Sequence, residues 1–287
     1  MADAAVLDRA EEFLLRNARL IDRLRFSYLF RDGGRELPIA AVRAYQNSDG
    51  GFGNALEPDL RGPDSQPEPT NLALQILDEL GALDEPMVPK ALDYLVSITR
   101  PDGGVPFVLP SSRRYPHAPW WQTGDDPSGT LVATANIAGI LHSNGVEHSW
   151  LDTATEFCWR EIDDLTSTWA YEARSFVPFL DHVPDRARAE AVFDRVGKLV
   201  LEVVEFDTDA DGEVHRPLDF APRPDTIARR LFSDEVIDEH LDALLAAQRD
   251  DGGWSFDWQV WTPNTEPEWR GWVTVRALKT LRAYGRL

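Results

Sequence analysis

Apolar residues in this chain recur at i, i+3 and i+4 over most of its length, and alternate-residue patterning is almost absent. Residues 40–45, 91–98, 192–204 and 236–247 each carry this spacing, which predicts helices with one buried face. Residues 3–30 form a long amphipathic stretch broken near Arg19. A further helix is predicted over 70–80, after Pro69 and before Gly81. Another is predicted over 128–142, where Asp126-Pro127 gives an N-terminal signal. Stretches 150–165, 168–180 and 269–284 complete a set of ten or eleven helices. The expected fold class is all-α.

Four segments interrupt these helices in one register. They are Gln46-Asn47-Ser48-Asp49-Gly50-Gly51-Phe52, Thr99-Arg100-Pro101-Asp102-Gly103-Gly104-Val105, Thr208-Asp209-Ala210-Asp211-Gly212-Glu213-Val214 and Gln248-Arg249-Asp250-Asp251-Gly252-Gly253-Trp254. In each, Gln or Thr is followed three residues later by Asp-Gly, and an apolar residue stands two beyond the glycine. Glycine supplies the left-handed conformation that ends a helix. The aspartate bonds turn amides. The expected unit is helix, Asp-Gly turn and return helix, repeated along the chain.

These turns carry a family resemblance. Gln248-x-x-x-Gly252-x-Trp254 resembles the QW motif of squalene-hopene and related terpenoid cyclases. Gln46 to Gly53, followed by a Pro-rich loop and Thr70-Asn71-Leu72-Ala73-Leu74, is similar to repeats of protein prenyltransferase β subunits. The resemblance implies an α/α toroid, a barrel of helical hairpins in a single domain over 1–287. Residues 1–35 would form an N-terminal helical segment and 36–287 the repeats. Fold of this kind does not fix chemistry.

Composition narrows the partners. The net charge is −20, from 29 basic and 49 acidic residues. That balance argues against nucleic acid, whose phosphates need a dense basic face. The longest apolar runs are too short to span a bilayer, and the first sixteen residues lack a basic n-region followed by an apolar run, so a cytoplasmic protein is expected. The single cysteine, Cys158, excludes an internal disulfide and reads as a small buried apolar residue. Zinc is not expected. The family's catalytic zinc needs an Asp-x-Cys pair and a histidine, and Cys158 has no such setting. No cofactor is assigned, although Mg2+ would serve a diphosphate substrate.

Three sets of residues carry candidate chemistry. Class II terpenoid cyclases use an Asp-x-Asp-Asp motif at a helix start, whose middle carboxylic acid protonates an alkene or epoxide. Thr123-Gly124-Asp125-Asp126 resembles it, with Asp125 in the acid's place and Thr123 where the first aspartate belongs. Asp126 also suits a helix cap. The Pro-stiffened loop 54–69 carries Glu57, Asp59, Arg61 and Asp64, expected at the mouth of a funnel, with Glu68 near a helix start. Trp120, Trp121, Trp258 and Trp261, with His117 nearby, lie in long loops and are expected to wall a pocket. Asp207-x-Asp209-x-Asp211-Gly212 copies half of a calcium loop, but Leu218 stands where the bidentate glutamate belongs.

The resemblance and these residues leave three readings open. One is a terpenoid-cyclase-like protein with an isoprenoid or meroterpenoid ligand and Asp125 as proton donor. A second is a carbohydrate-active toroid with a saccharide ligand and Glu57 and Asp59 as acid and base. The third is a binding scaffold that keeps the fold without the chemistry.

Overall fold

The structure is a computed structural model that describes residues 2–287, with side chains described from Ala4 onward. It is all-α. The chain divides into two compact units, one formed by residues 39–202 and the other by residues 1–38 together with 203–287. Helix α3 (Glu36–Arg43) spans the division.

The unit formed by 39–202 contains α4 (Pro67–Glu79), α5 (Met87–Ile98), α6 (Leu131–Ser143), α7 (Ser149–Asp163), α8 (Ala170–His182) and α9 (Arg186–Glu202). Helix α6 packs between α4 and α8, while α5, α7 and α9 pack against the helices that precede them. α6 is apolar almost all round, as a helix enclosed by neighbours must be. It meets α8 closely at Gly139, where an added Cβ would lie 2.9 Å from the backbone of Pro178 and Phe179. The covering helices are amphipathic instead. On α5, Met87, Val88, Ala91, Leu92 and Leu95 are buried and Lys90, Asp93 and Val96 face water.

The other unit contains α1 (Ala2–Asn17), α2 (Leu20–Phe30), a one-turn α10 (Pro217–Phe220), α11 (Asp234–Ala246) and α12 (Thr265–Ala283). The predicted break near Arg19 is present. Helix α12 packs against α1, α2 and α11. A buried ion pair lies on α2, where Arg25 Nη1 donates to Asp22 Oδ1 at 2.8 Å. Neither side chain is more than 1% exposed. The Arg25 guanidinium also lies 4.0 Å from the centre of the Trp272 ring, and Arg19 supplies Asp22 with a second partner.

Three of the four Asp-Gly turns are built alike. Gly50, Gly103 and Gly252 have φ of 92°, 92° and 94°, which only glycine adopts without strain. Asp49, Asp102 and Asp251 each accept, through Oδ1, the amide two residues ahead. The apolar residue after each turn is buried and donates its amide to a threonine hydroxyl on the following helix. These bonds run from Phe52 to Thr70 (3.1 Å), from Val105 to Thr134 (2.9 Å) and from Trp254 to Thr274 (3.0 Å). Gln46 Nε2 donates both to its own turn at Gly50 and to Met87 at the start of α5. Gln248 Nε2 likewise bridges Gly252 and Val6 of α1. The expected fourth repeat departs from this pattern. Gly212 has φ of 91°, but a Cβ there would meet nothing within 4 Å, so its turn stands clear of any helix.

Candidate functional site

Helix α4 begins three residues earlier than the periodicity predicts. Gln66 is its extended N-cap, and Pro67 and Pro69 occupy the first turn, where a missing amide hydrogen costs no helical bond. This start brings Glu68 into the helix. The helix is buried along Pro67, Pro69–Leu74, Ile76 and Leu77, and its accessible stripe runs through Glu68, Gln75 and Glu79. Comparable stripes mark the otherwise buried α6 (Val132, Asn136) and α8 (Tyr171, Arg174, Pro178, Asp181).

Glu68 keeps part of its surface open although protein packs densely around it. Desolvation pushes its carboxyl up to about 7, and this outweighs two opposing effects, the hydrogen bond from Asn71 and the positive charge of Arg174. A carboxylate at a helix N-terminus is ordinarily favoured by the helix dipole, so burial dominates here. Asn71 Nδ2 lies 3.2 Å from Oε1 and 3.1 Å from Oε2 of Glu68. The arrangement gives an acid that holds its proton near neutral pH, beside a donor and a cation that favour the anion left after the proton departs.

The loops expected at a mouth come together within the same unit. Leu60 pairs with His117 in an antiparallel bridge, the Arg61 amide donates to Pro116 O, and the Ala118 amide donates to Asp59 O. Glu57 and Asp59 are buried, at 1% and 2% exposure, and Glu57 Oε1 accepts the amide of Asp59 at 3.1 Å. That carboxylate is therefore turned onto its own loop. Asp64 pairs with Arg114 and accepts the Tyr115 hydroxyl. Arg61 reaches back to Pro58 O, and His117 Nδ1 lies 2.7 Å from Tyr115 O. Trp121 is buried and stacks on Phe107 at 4.7 Å, whereas Trp120 is 41% exposed.

Gln66 ties this loop layer to the start of α4. Its Nε2 donates to Ser111 Oγ at 2.7 Å, and its Oε1 accepts the Leu109 amide at 2.8 Å. The 3-10 turn Pro110–Arg114 is thereby fixed to the residue two before Glu68.

The Asp125-Asp126 pair has a different environment from the one its proposed role requires. The Asp125 side chain is 90% exposed and pairs with Arg113. That of Asp126 is 80% exposed and pairs with Arg100. Protonation of an alkene calls for a carboxyl kept neutral by a dry cavity, and neither group has one. Asp126 is not the cap of α6 either. The helix starts at Leu131, and Thr130 caps it by accepting the Ala133 amide.

Trp258 and Trp261 lie in the other unit. Trp258 stacks on Phe256 at 4.3 Å and meets Trp269 edge-on at 5.2 Å. Trp261 buries its indole nitrogen without a hydrogen-bond partner among the described residues. Among the described residues no three His, Cys, Asp or Glu side chains converge as a metal site, and in the calcium-like segment Asp207 Oδ1 is taken up by the Asp209 amide. Cys158 is buried, as its sequence setting suggests.

Glu68 escapes a reading of residue types because it lies between two prolines and reads as loop. The repeat register could have placed it: Thr70 matches Thr134 and Thr274, so Glu68 stands at a helix start, two residues before the threonine of its repeat.

No protein-family model and no curated protein matches the chain. Solved structures do match in fold. A protein from Actinoplanes, 18% identical, superposes with a TM-score of 0.61 over 98% of this chain and 99% of its own. The type II terpene cyclase MstE from Scytonema, without ligand, is 13% identical and superposes with a TM-score of 0.59 over 99% of both chains. An aspartate-to-asparagine variant of MstE in complex with its substrate geranylgeranyl dihydroxybenzoate gives 0.59 at 12% identity, over 99% of this chain and 98% of its own. The chain therefore has a terpenoid-cyclase-like fold along nearly its whole length.

Proposed function

We propose that this protein is a cyclase of an isoprenoid or meroterpenoid, with Glu68 as the acid that starts the reaction. The observation that carries this reading is a partly accessible carboxyl at the start of α4, held by Asn71 and pushed up to about 7 by burial. The fold shared with MstE, whose substrate is a geranylgeranyl dihydroxybenzoate, supports the ligand class.

In this mechanism the Glu68 O–H bond breaks and its proton forms a C–H bond at one alkene carbon. The other alkene carbon becomes cationic, and its attack by the next double bond closes a ring. Asn71 and Arg174 favour the glutamate anion formed in that step. Loss of a proton from the final cation ends the sequence, and Glu68 is reprotonated for the next turnover.

The test is incubation of the purified chain with geranylgeranyl dihydroxybenzoate and with shorter prenylated aromatic acids. Products of unchanged mass and fewer olefinic protons, read by mass spectrometry and NMR, are expected. Glu68→Gln should abolish them. Turnover that persists in Glu68→Gln rules out this acid.

A further inference from the structure

The three matched turns provide an internal comparison. Thr70, Thr134 and Thr274 occupy one place in the repeat, because each accepts the amide of the apolar residue after its turn. The residue two before this threonine is Glu68, Val132 or Trp272. The residue after it is Asn71, Ala135 or Val275, and all three are buried, at 2%, 0% and 0% exposure. Packing at this place is thus satisfied by a small or branched apolar side chain. A buried amide is found only in the repeat that also carries the carboxyl.

The amide is also unevenly satisfied. Asn71 Nδ2 spans both oxygens of Glu68, while Asn71 Oδ1 is buried with no hydrogen-bond donor among the described residues. Leaving a buried acceptor unpaired is unfavourable, so apolar packing does not account for an amide at this place.

Resting on the reading of Glu68 as the acid, we propose that Asn71 is a positioning residue that orients the Glu68 carboxyl and holds its anion through Nδ2. No covalent bond of Asn71 changes.

Arg174 of α8 is near enough for its charge to lower the Glu68 pKa, and the same helix carries Glu172, Asp181 and His182. On α6 the titratable side chain is His142, in the last turn of the helix. On α5, Lys90 and Asp93 face water, and burial near Asp49 and Asp64 keeps the Tyr94 phenol protonated. Asn71 is the neutral hydrogen-bonding group in contact with the carboxyl.

The experiment is an NMR titration of the full chain carrying carboxyl-13C glutamate, with the Glu68 signal assigned by its loss in Glu68→Gln. Asn71→Ala copies the residue of the second repeat, so the fold is expected to hold, and amide spectra and melting curves check this. Its Glu68 midpoint is expected to rise, with proton affinity increased about tenfold by loss of a charge-stabilising hydrogen bond. Asn71→Asp, which nearly preserves shape, should give two coupled titration steps in place of one. A folded Asn71→Ala with an unchanged midpoint, or a single unshifted step in Asn71→Asp, overturns the role of Asn71. A wild-type midpoint in the ordinary carboxylate range overturns the reading of Glu68 itself.

Discussion

Gln66 grips Ser111 through a 2.7 Å hydrogen bond and, with the other end of the same amide, accepts the backbone of Leu109. One side chain thus secures the loop layer to the first turn of α4. Replacement by alanine removes two partly buried bonds, each worth about 0.5–1.5 kcal/mol. Gln66→Ala is expected to speed amide hydrogen exchange at Leu109 and its neighbours while leaving α6 and α8 protected. Unchanged exchange at Leu109 would show that other contacts hold the segment.

Glu68 should make stability depend on pH in an unusual direction. Its native carboxyl titrates near 7 and its unfolded one near 4.5. Between these values the native state binds more protons, so the contribution to stability falls as pH rises through that window. Glu68→Gln removes the effect. The variant should match the wild type below about pH 4.5 and exceed it above pH 7, by on the order of 2–3 kcal/mol. Melting curves at several pH values test this, and a constant difference across the range contradicts it.

The glycine turns separate close backbone approach from simple turn geometry. A Cβ on Gly50 would lie 2.2 Å from Lys90 O, and one on Gly252 would lie 2.1 Å from Arg9 O. Gly50→Ala and Gly252→Ala are expected to cost several-fold more stability than Gly212→Ala. At Gly212 only the positive φ opposes a side chain, a cost of roughly 1–2 kcal/mol. Denaturant midpoints for the three variants provide the comparison.

Arg25 should be intolerant of truncation. Arg25→Ala leaves Asp22 with less compensation in a fully buried place, and loss of one partner of such a pair costs about 3–5 kcal/mol. Replacing both residues with apolar ones is expected to recover much of that loss. A double-mutant cycle measures the coupling.

Asp125→Asn and Asp126→Asn should leave both folding and turnover nearly unchanged. Their partners, Arg113 and Arg100, meet them at the surface, where water screens the pairing. Abolished turnover in Asp125→Asn alone would return the acid's role to that residue.

Much of the architecture was legible because its signals are local. A 3.6-residue period marks each helix, and Asp-Gly with a trailing apolar residue marks each turn. The fourth turn looked equivalent because Asp211-Gly212 reproduces the local pattern, while the neighbouring helix that makes the pattern a lock is distant in sequence. The acid was harder to read for the same reason. Asp125-Asp126 matched a motif by residue type, but both side chains lie at the surface, paired with Arg113 and Arg100. Glu68 looked like part of a loop because two prolines flank it. Its burial comes from packing that the residue's own sequence does not display, and the nearby positive charge comes from Arg174 of α8.

The threonine lock has a consequence for how such a chain acquires chemistry. The hydroxyl and the turn amide carry the architecture, so the residues two before and one after the threonine are left open to substitution. One copy holds a glutamate and an asparagine, and the others hold valine with alanine and tryptophan with valine. Reactivity can therefore arise or lapse in a single copy by two point changes, with the scaffold inherited intact.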